Sequence, residues 1–449
     1  MSLTLIGGTI VRSLRPPVVE PGDLVVEDGR IAAPGPAPAG ATRLDCSGCL
    51  IVPGNVCAHT HLYSVLARGM PYRLAPPRTF LEILQRVWWR LDRALDEGII
   101  RASALAGGME ALLSGTTTLI DHHASPAVVD GSLDIVADAL AGLGIRSVLC
   151  YETSDRDGPG VARAGIAENG RFLDAVATGV RPLARGMVGA HASFTLSEET
   201  VMACAGLARE RGVGVHIHAA EDGVDERDAE DRFGVRVAAR LAAAGLLDER
   251  AVLAHGVQLD AAEIDIVRES GATVVHNARS NMNNGVGRAP VESLGDRVAL
   301  GTDGIGADMF EEGRVAYLRR REEAIDSGPA WSLDRLAEGA RVAGAAFDEP
   351  LLGRLETGAP ADLVVLRYPA VTPVDAVTLA GHWLFGIGAG SVRDVIVAGD
   401  LVVRDRRLVR ADSEALAAES RAAASRLWRR LDEVDVHPFE ALEAPAWRT

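Results

Sequence analysis

Between residues 52 and 303, short apolar runs alternate with longer stretches rich in Ala, Leu, Glu and Arg. The runs at 52–57, 116–120, 146–150, 187–190, 212–217, 251–254, 272–275 and 297–300 have the length and β-branched content of buried strands. The stretches between them, 100–113 and 198–211 for example, space their apolar positions as helices do. Eight strands alternating with helices over about 250 residues predict an α/β chain with a (β/α)8 TIM-like barrel, although a doubly wound sheet fits the same alternation. The flanks read differently. Strands are expected at 2–11 and 24–31, punctuated by Pro16-Pro17, Gly22-Asp23, Asp28-Gly29 and a Pro/Gly/Ala-rich loop at 33–41. Strand texture returns at 361–366 and 392–403, the latter folded about a hairpin at Ala398-Gly399-Asp400. An amphipathic helix at 412–433 and an irregular strap from 434 complete the pattern. The expected division is therefore 1–52 (β-rich), 53–355 (barrel), 356–410 (β-rich) and 411–449 (helix and tail).

Composition narrows the function classes. A net charge of −16 disfavours nucleic acid or an anionic membrane surface as partner. No apolar run approaches the roughly 20 residues of a membrane span, and the first ten residues do not read as a signal peptide, so a cytoplasmic protein is expected. Five scattered cysteines make no disulfide framework, and Cys46-x-x-Cys49 has no second pair with which to form a zinc site. The chain contains no lysine, so all 46 basic residues are arginine. That removes Schiff-base chemistry and any metal pair bridged by a carboxylated lysine.

The histidines carry the chemistry. His59, His61, His123, His191, His218, His255 and His276 each fall at the C-terminal end of an expected strand, and in a barrel those ends share the face that bears active sites. His59-Thr60-His61 puts two imidazoles on one side of an extended chain, where both reach one metal. His216-x-His218-x-x-Glu221 adds a third imidazole and a carboxylate placed to relay protons. His255, in Ala-His-Gly, and Asp303, in Gly-Thr-Asp-Gly, end the sixth and eighth strands. An Asp oxygen with three imidazoles suits Zn2+ or Fe2+. No G-x-S-x-G elbow or H-E-x-x-H helix competes.

These motifs (Val52-Pro53-Gly54 ahead of His59-x-His61, His218-x-x-Glu221, Ala254-His255-Gly256, Thr302-Asp303-Gly304) resemble the cytosine/guanine deaminase and triazine hydrolase branch of the amidohydrolase superfamily. The strings Trp88-Trp89-Arg90-Leu91-Asp92-Arg93, Ile120-Asp121-His122-His123-Ala124-Ser125-Pro126, 275–284 and 301–306 are most similar to the SsnA group of aminohydrolases, and the similarity fades after about residue 435. The resemblance implies that the two β-rich ends form one small β-sandwich. It also implies one metal, Zn2+ or alternatively Fe2+, on His59, His61, His218 and Asp303, with Asp303 also acting on the attacking water. Glu221 then matches the proton shuttle and His255 the residue that polarises the substrate. His191, Arg279, Asn281, Asp308, His123 and Trp88 fall where relatives meet substrate. The implied function is a homodimeric deaminase that releases ammonia from a small amino-substituted N-heterocycle, purine- or pyrimidine-like. A one-metal cyclic-amide hydrolase or dehalogenase remains the alternative on the same fold, and an inactive metal-binding protein the alternative of another class.

Overall fold

The computed structural model describes residues 2–35 and 38–440. Strands Asn55–Thr60, Thr116–His123, Arg146–Tyr151 and Ala184–Gly186 form one parallel sheet. Val188–Ala192, Val215–Ala219, Val252–His255, Thr273–His276 and Val298–Leu300 form a second. Ala184–Gly186 and Val188–Ala192 are successive parts of one strand, so eight strands make the ring. Single parallel bridges join the two sheets at both seams, Thr60 to Asp303 and Thr153 to Ala190. At the first seam the Thr302 and Asp303 N–H groups both donate to the His59 carbonyl, at 2.9 and 3.1 Å.

The local chemistry that ends each element is plain in the sequence. Asp96 and Ser197 cap helices Glu97–Leu113 and Glu198–Arg211 by accepting N–H bonds from Ile99 and Thr200. Asp260 and Glu263 form a capping box on Ala261–Ser270. Helix Ala330–Phe347 sends Ala340, Val342, Ala343 and Phe347 into a shared core with Val56, Ile120, Val148, Met187, Val252 and Val275 of the strands. No helix among the described residues is long and apolar enough to cross a membrane.

Both chain flanks enter one nine-stranded sheet. Leu50–Pro53 pairs antiparallel with Leu363–Leu366, and Leu3–Leu14 pairs with Pro17–Glu27. Leu5, Ile10, Leu24, Ile51, Leu363, Val365 and Ile396 pack in a single core, so the sheet curls over itself as a sandwich does. Its two turns touch: a Cβ on Gly399 would fall 2.6 Å from the Gly29 Cα. The first hairpin runs further than its prolines and glycines suggest, because Pro17 occupies a strand's first position, where a missing N–H costs nothing. Helix Ser413–Leu431 packs on Glu97–Leu113, with Arg426 against Asp96 at 3.2 Å. Residues 432–440 continue without regular structure, and the rest of the expected strap, 441–449, lies outside the described residues.

Candidate active site

The strand ends deliver their imidazoles to one point. His59 Nε2 lies 3.3 Å from Asp303 Oδ1, and His61 Nε2 lies 3.1 Å from the same oxygen and 3.0 Å from His218 Nε2. Each ring is held from behind. His61 Nδ1 donates to the His122 carbonyl (2.6 Å) and His218 Nδ1 to the His191 carbonyl (2.8 Å), and His59 Nδ1 is hydrogen-bonded with His216 Nε2 (2.9 Å). With His61 and His218 donating through Nδ1, their Nε2 atoms face each other 3.0 Å apart, an arrangement that a proton or a shared cation between them relieves. His59 Nε2 and His255 Nε2 are buried without any hydrogen-bond partner. A tetrahedral shell with bonds of about 2.0–2.1 Å sets its donors about 3.3 Å apart, close to the 3.0–3.3 Å separations found here. The donor set fits a divalent metal.

The electrostatics agree. Burial disfavours charge on His61, but the Asp303 hydrogen bond and charge, with Glu152 and Asp121 behind, outweigh it and lift the ring to about 9. Burial pushes His59 down to about 3. Asp303, despite burial, is held well below the usual carboxylate range by the His59 and His61 rings beside it and the charge on His61. Its second oxygen accepts from the Ser280 hydroxyl.

Beside this centre stand Glu221 and His255, with Glu221 Oε2 3.5 Å from His255 Nε2. Burial, then the Asp303 charge, drives the Glu221 carboxyl well above its ordinary value, which favours its protonated form. His255 Nδ1 donates to Asn281 Oδ1 at 2.8 Å, which leaves Nε2 an acceptor facing the centre. Ala220, His255 and Asp303 all adopt positive φ, at 51°, 76° and 51°. Such strain in non-glycine residues concentrates at functional sites.

A cleft of about 670 Å³, open mouth included, leads to the centre. That is within the range of small-molecule sites. Phe80, Leu84, Trp88, Trp89 and Phe194 form one wall, and His61, His218, Glu221 and Asp303 form the floor. Of the expected substrate contacts, His191 and Trp88 line the cleft. The other four do not. Arg279 is consumed by Glu312 (2.6 Å), Glu311 (2.6 Å) and the carbonyls of Ile305 and Gly306, which brace the loop after the eighth strand. Asp308 caps helix Met309–Arg321. Asn281 serves His255, and buried His123 meets Ser125 Oγ at 2.9 Å. His276 is buried away from the cleft.

Sequence reasoning missed Glu152, which lines the cleft one residue past the third strand. Its Oε1 accepts from Arg156 (2.9 Å) and lies 3.6 Å from His191 Nε2, and its Oε2 lies 3.1 Å from His122 Nδ1. Arg156 in turn pairs with buried Asp92. Its place at a strand's C-terminal end was the available signal, since the rule that singled out the histidines applies equally to a carboxylate. His122 stands between Glu152 and the His216 carbonyl and so supports the floor from below.

A parallel barrel with these side chains at its C-terminal mouth defines a metal-dependent hydrolase, and the chain belongs to the amidohydrolase family, whose description, "Amidohydrolase family", matches residues 50–402. It is 35% identical over 434 residues to a 5-methylthioadenosine/S-adenosylhomocysteine deaminase of Halobacterium salinarum, covering 92% of this chain and 96% of that one. It is 32% identical to a 5′-deoxyadenosine deaminase of Methanopyrus kandleri, over 95% and 99% of the two chains. Among solved structures, an adenosine deaminase from Xanthomonas campestris with bound zinc superposes with a TM-score of 0.83 at 26% identity, over 95% and 98% of the chains.

Proposed function

We propose that this enzyme is an aminohydrolase that releases ammonia from an unphosphorylated adenosine-like substrate, using one zinc ion in preference to iron. The observation that carries the reading is the Glu221–His255 pair, 3.5 Å apart, beside four convergent metal donors. The deaminase names of the relatives support the amine as leaving group and a purine as ring. The zinc in the related adenosine deaminase supports the metal. His59, His61, His218 and Asp303 would hold it. When bound, such an ion acts as a Lewis acid and makes water a better nucleophile at neutral pH.

The chain's own groups then divide the proton work. His255 Nε2, kept an acceptor by Asn281, takes a hydrogen bond from the attacking water. Asp303, ionised beside its histidines, accepts a proton from that water. Glu221 Oε2 gives its proton to the ring nitrogen next to the reacting carbon; the proton taken up by Asp303 then goes to the leaving amine, and the proton of the newly added hydroxyl returns to Glu221, so both carboxyls end as they began. The aromatic wall of Phe80, Trp88, Trp89 and Phe194 stacks on a planar ring and keeps bulk water out. Among the described residues no arginine lines the cleft, and Arg156 lies behind Glu152 with a side-chain exposure of 2%. Carboxylates without a free cation favour a neutral or cationic substrate over a phosphorylated one. All five cysteines are free and buried, which fits a reducing cytoplasm; a homodimer follows from family resemblance.

The test is ammonia release from adenosine, 5′-deoxyadenosine, 5-methylthioadenosine and free aminopurines by zinc-loaded protein, with Glu221→Gln as the blank. Release that disappears in the variant is expected. Loaded protein that liberates no ammonia from any of them would refute the reading.

A further inference from the structure

We propose that residues 434–440 form a clasp that positions the aromatic wall of the cleft, with His437 and Phe439 as its positioning residues. The inference rests on the cleft being the substrate pocket of the proposed aminohydrolase. The wall is built on one helical run made of four short pieces: Phe80–Ile83, a π-turn at Leu84–Trp88, Trp89–Leu91 and Asp92–Ala94. The whole run, Phe80 to Ala94, is short enough to be marginal on its own hydrogen bonds, and the π-turn within it widens the ladder further. Something outside the run must hold it.

The tail does so at successive points. Arg90 donates to the carbonyls of Leu431 (2.6 Å) and Val434 (2.7 Å). The His437 N–H donates to the Gln85 carbonyl at 3.0 Å, and Gln85 Nε2 returns a bond to the Phe439 carbonyl at 2.7 Å. Gln85 belongs to the π-turn itself. The tail's rings then complete the wall from behind. Trp89, only 1% exposed, has His437 at 5.2 Å and Phe439 at 5.6 Å, and Phe439 also meets Phe194 at 6.2 Å. Trp89 and Phe194 present their other sides to the cleft.

A polar path runs in parallel. His437 Nε2 lies 3.3 Å from Asp157 Oδ1, and Asp157 Oδ2 lies 3.3 Å from Arg156 Nε. Arg156 holds Glu152 against His122 and His191. One segment of the tail thereby fixes both the apolar wall and the carboxylate opposite it. Glu221, His255 and Asp303 stand on the barrel strands and their loops, outside its reach. The clasp therefore acts on substrate binding and leaves the proton-transfer groups in place.

The experiment uses full-length zinc-loaded protein carrying Phe439→Ala or His437→Ala, with Phe439→Leu as the conservative control. Hydrogen exchange at residues 80–94 should accelerate about tenfold or more in the alanine variants, with barrel-strand exchange unchanged. The KM for adenosine should rise about tenfold, since ordering even one extra residue on binding costs about that much. In Phe439→Ala turnover should stay within about twofold and bound zinc should be constant, because the polar path through His437 to Glu152 and His122 is untouched. Phe439→Leu should recover most of the KM. Unchanged exchange at 80–94, or a fall in kcat and zinc content with KM unaltered, would overturn the proposal. Exchange needs no substrate, so faster exchange in a protein that releases no ammonia would sink the aminohydrolase reading and leave the clasp standing.

Discussion

Metal loading of this site should depend on pH through one proton, and over an unusually alkaline range. Without metal, His61 is lifted to about 9, chiefly by Asp303 working against burial, whereas burial keeps His59 near 3 and His218 well below its ordinary value. Around neutral pH and up to about 9, His61 is therefore the donor whose proton the metal must displace. A raised value means the proton is bound tightly below pH 9, so apparent affinity falls tenfold for each unit of acidification from there. From pH 9 to pH 7 that amounts to about 100-fold, or ~2.7 kcal/mol. Three solvated histidines near their ordinary values would behave differently, with almost no dependence above pH 7 and a slope approaching three protons below about pH 6. The assay is zinc competition against a chromophoric chelator from pH 6 to 9, corrected for the chelator's own protonation. A slope of one across pH 7–8.5 is expected. Flat affinity above pH 7 followed by a steep acid limb would refute the reasoning. Asp303→Asn supplies a check, since removing the charge that holds the proton should abolish the dependence above pH 7 while weakening binding at every pH.

Other outcomes follow from the same geometry. Glu221→Gln should lower kcat about 10²–10⁴-fold with zinc content unchanged, because it removes a proton carrier and no ligand. Asn281→Ala should cost about 10–100-fold in kcat by freeing the His255 ring, again without loss of metal; loss of zinc would place His255 among the ligands instead. Adenosine 5′-monophosphate should have a kcat/KM at least about 100-fold below that of adenosine at low salt, given a cleft with carboxylates and no arginine; parity in steady-state assays would contradict this. Asp260→Ala should lower stability by about 1 kcal/mol in urea titrations through loss of its capping box, with activity preserved.

The barrel and the convergence of His59, His61, His218 and Asp303 were legible because both rest on local signals. Strand and helix periods differ, and H-x-H places two rings on one face whatever the tertiary context. Family membership is borne out by the match over residues 50–402. The outer contacts were not legible, and Arg279 shows why. As an exposed-looking cation after the seventh strand it suggests a ligand anchor, but Glu311 and Glu312, far along the chain, neutralise it. Asp308 looks the same in sequence whether it binds substrate or caps a helix. Glu152 escaped notice because its importance comes from Arg156, His122 and His191, which only the fold assembles. The curled sheet of both chain ends came from resemblance; strand texture alone does not say that Leu50–Pro53 will lie beside Leu363–Leu366.

That pairing has a consequence for how the enzyme comes into being. His59 meets Asp303 across the barrel seam, and the strand just before it pairs with residues 363–366. During synthesis the first donors emerge long before their partners, on the order of tens of seconds at about 5–20 residues per second. For that interval the early strands have neither a closed ring nor a second sheet against which to hide their edges, and such non-local closure is slow. His59 and His61 can therefore meet Asp303 only once residue 303 has emerged, and a metal ion captured before then would find an H-x-H pair without that carboxylate. Variants that weaken the seam at Thr60 and Thr302 should show their defect as aggregation of nascent chains sooner than as altered catalysis in the molecules that fold.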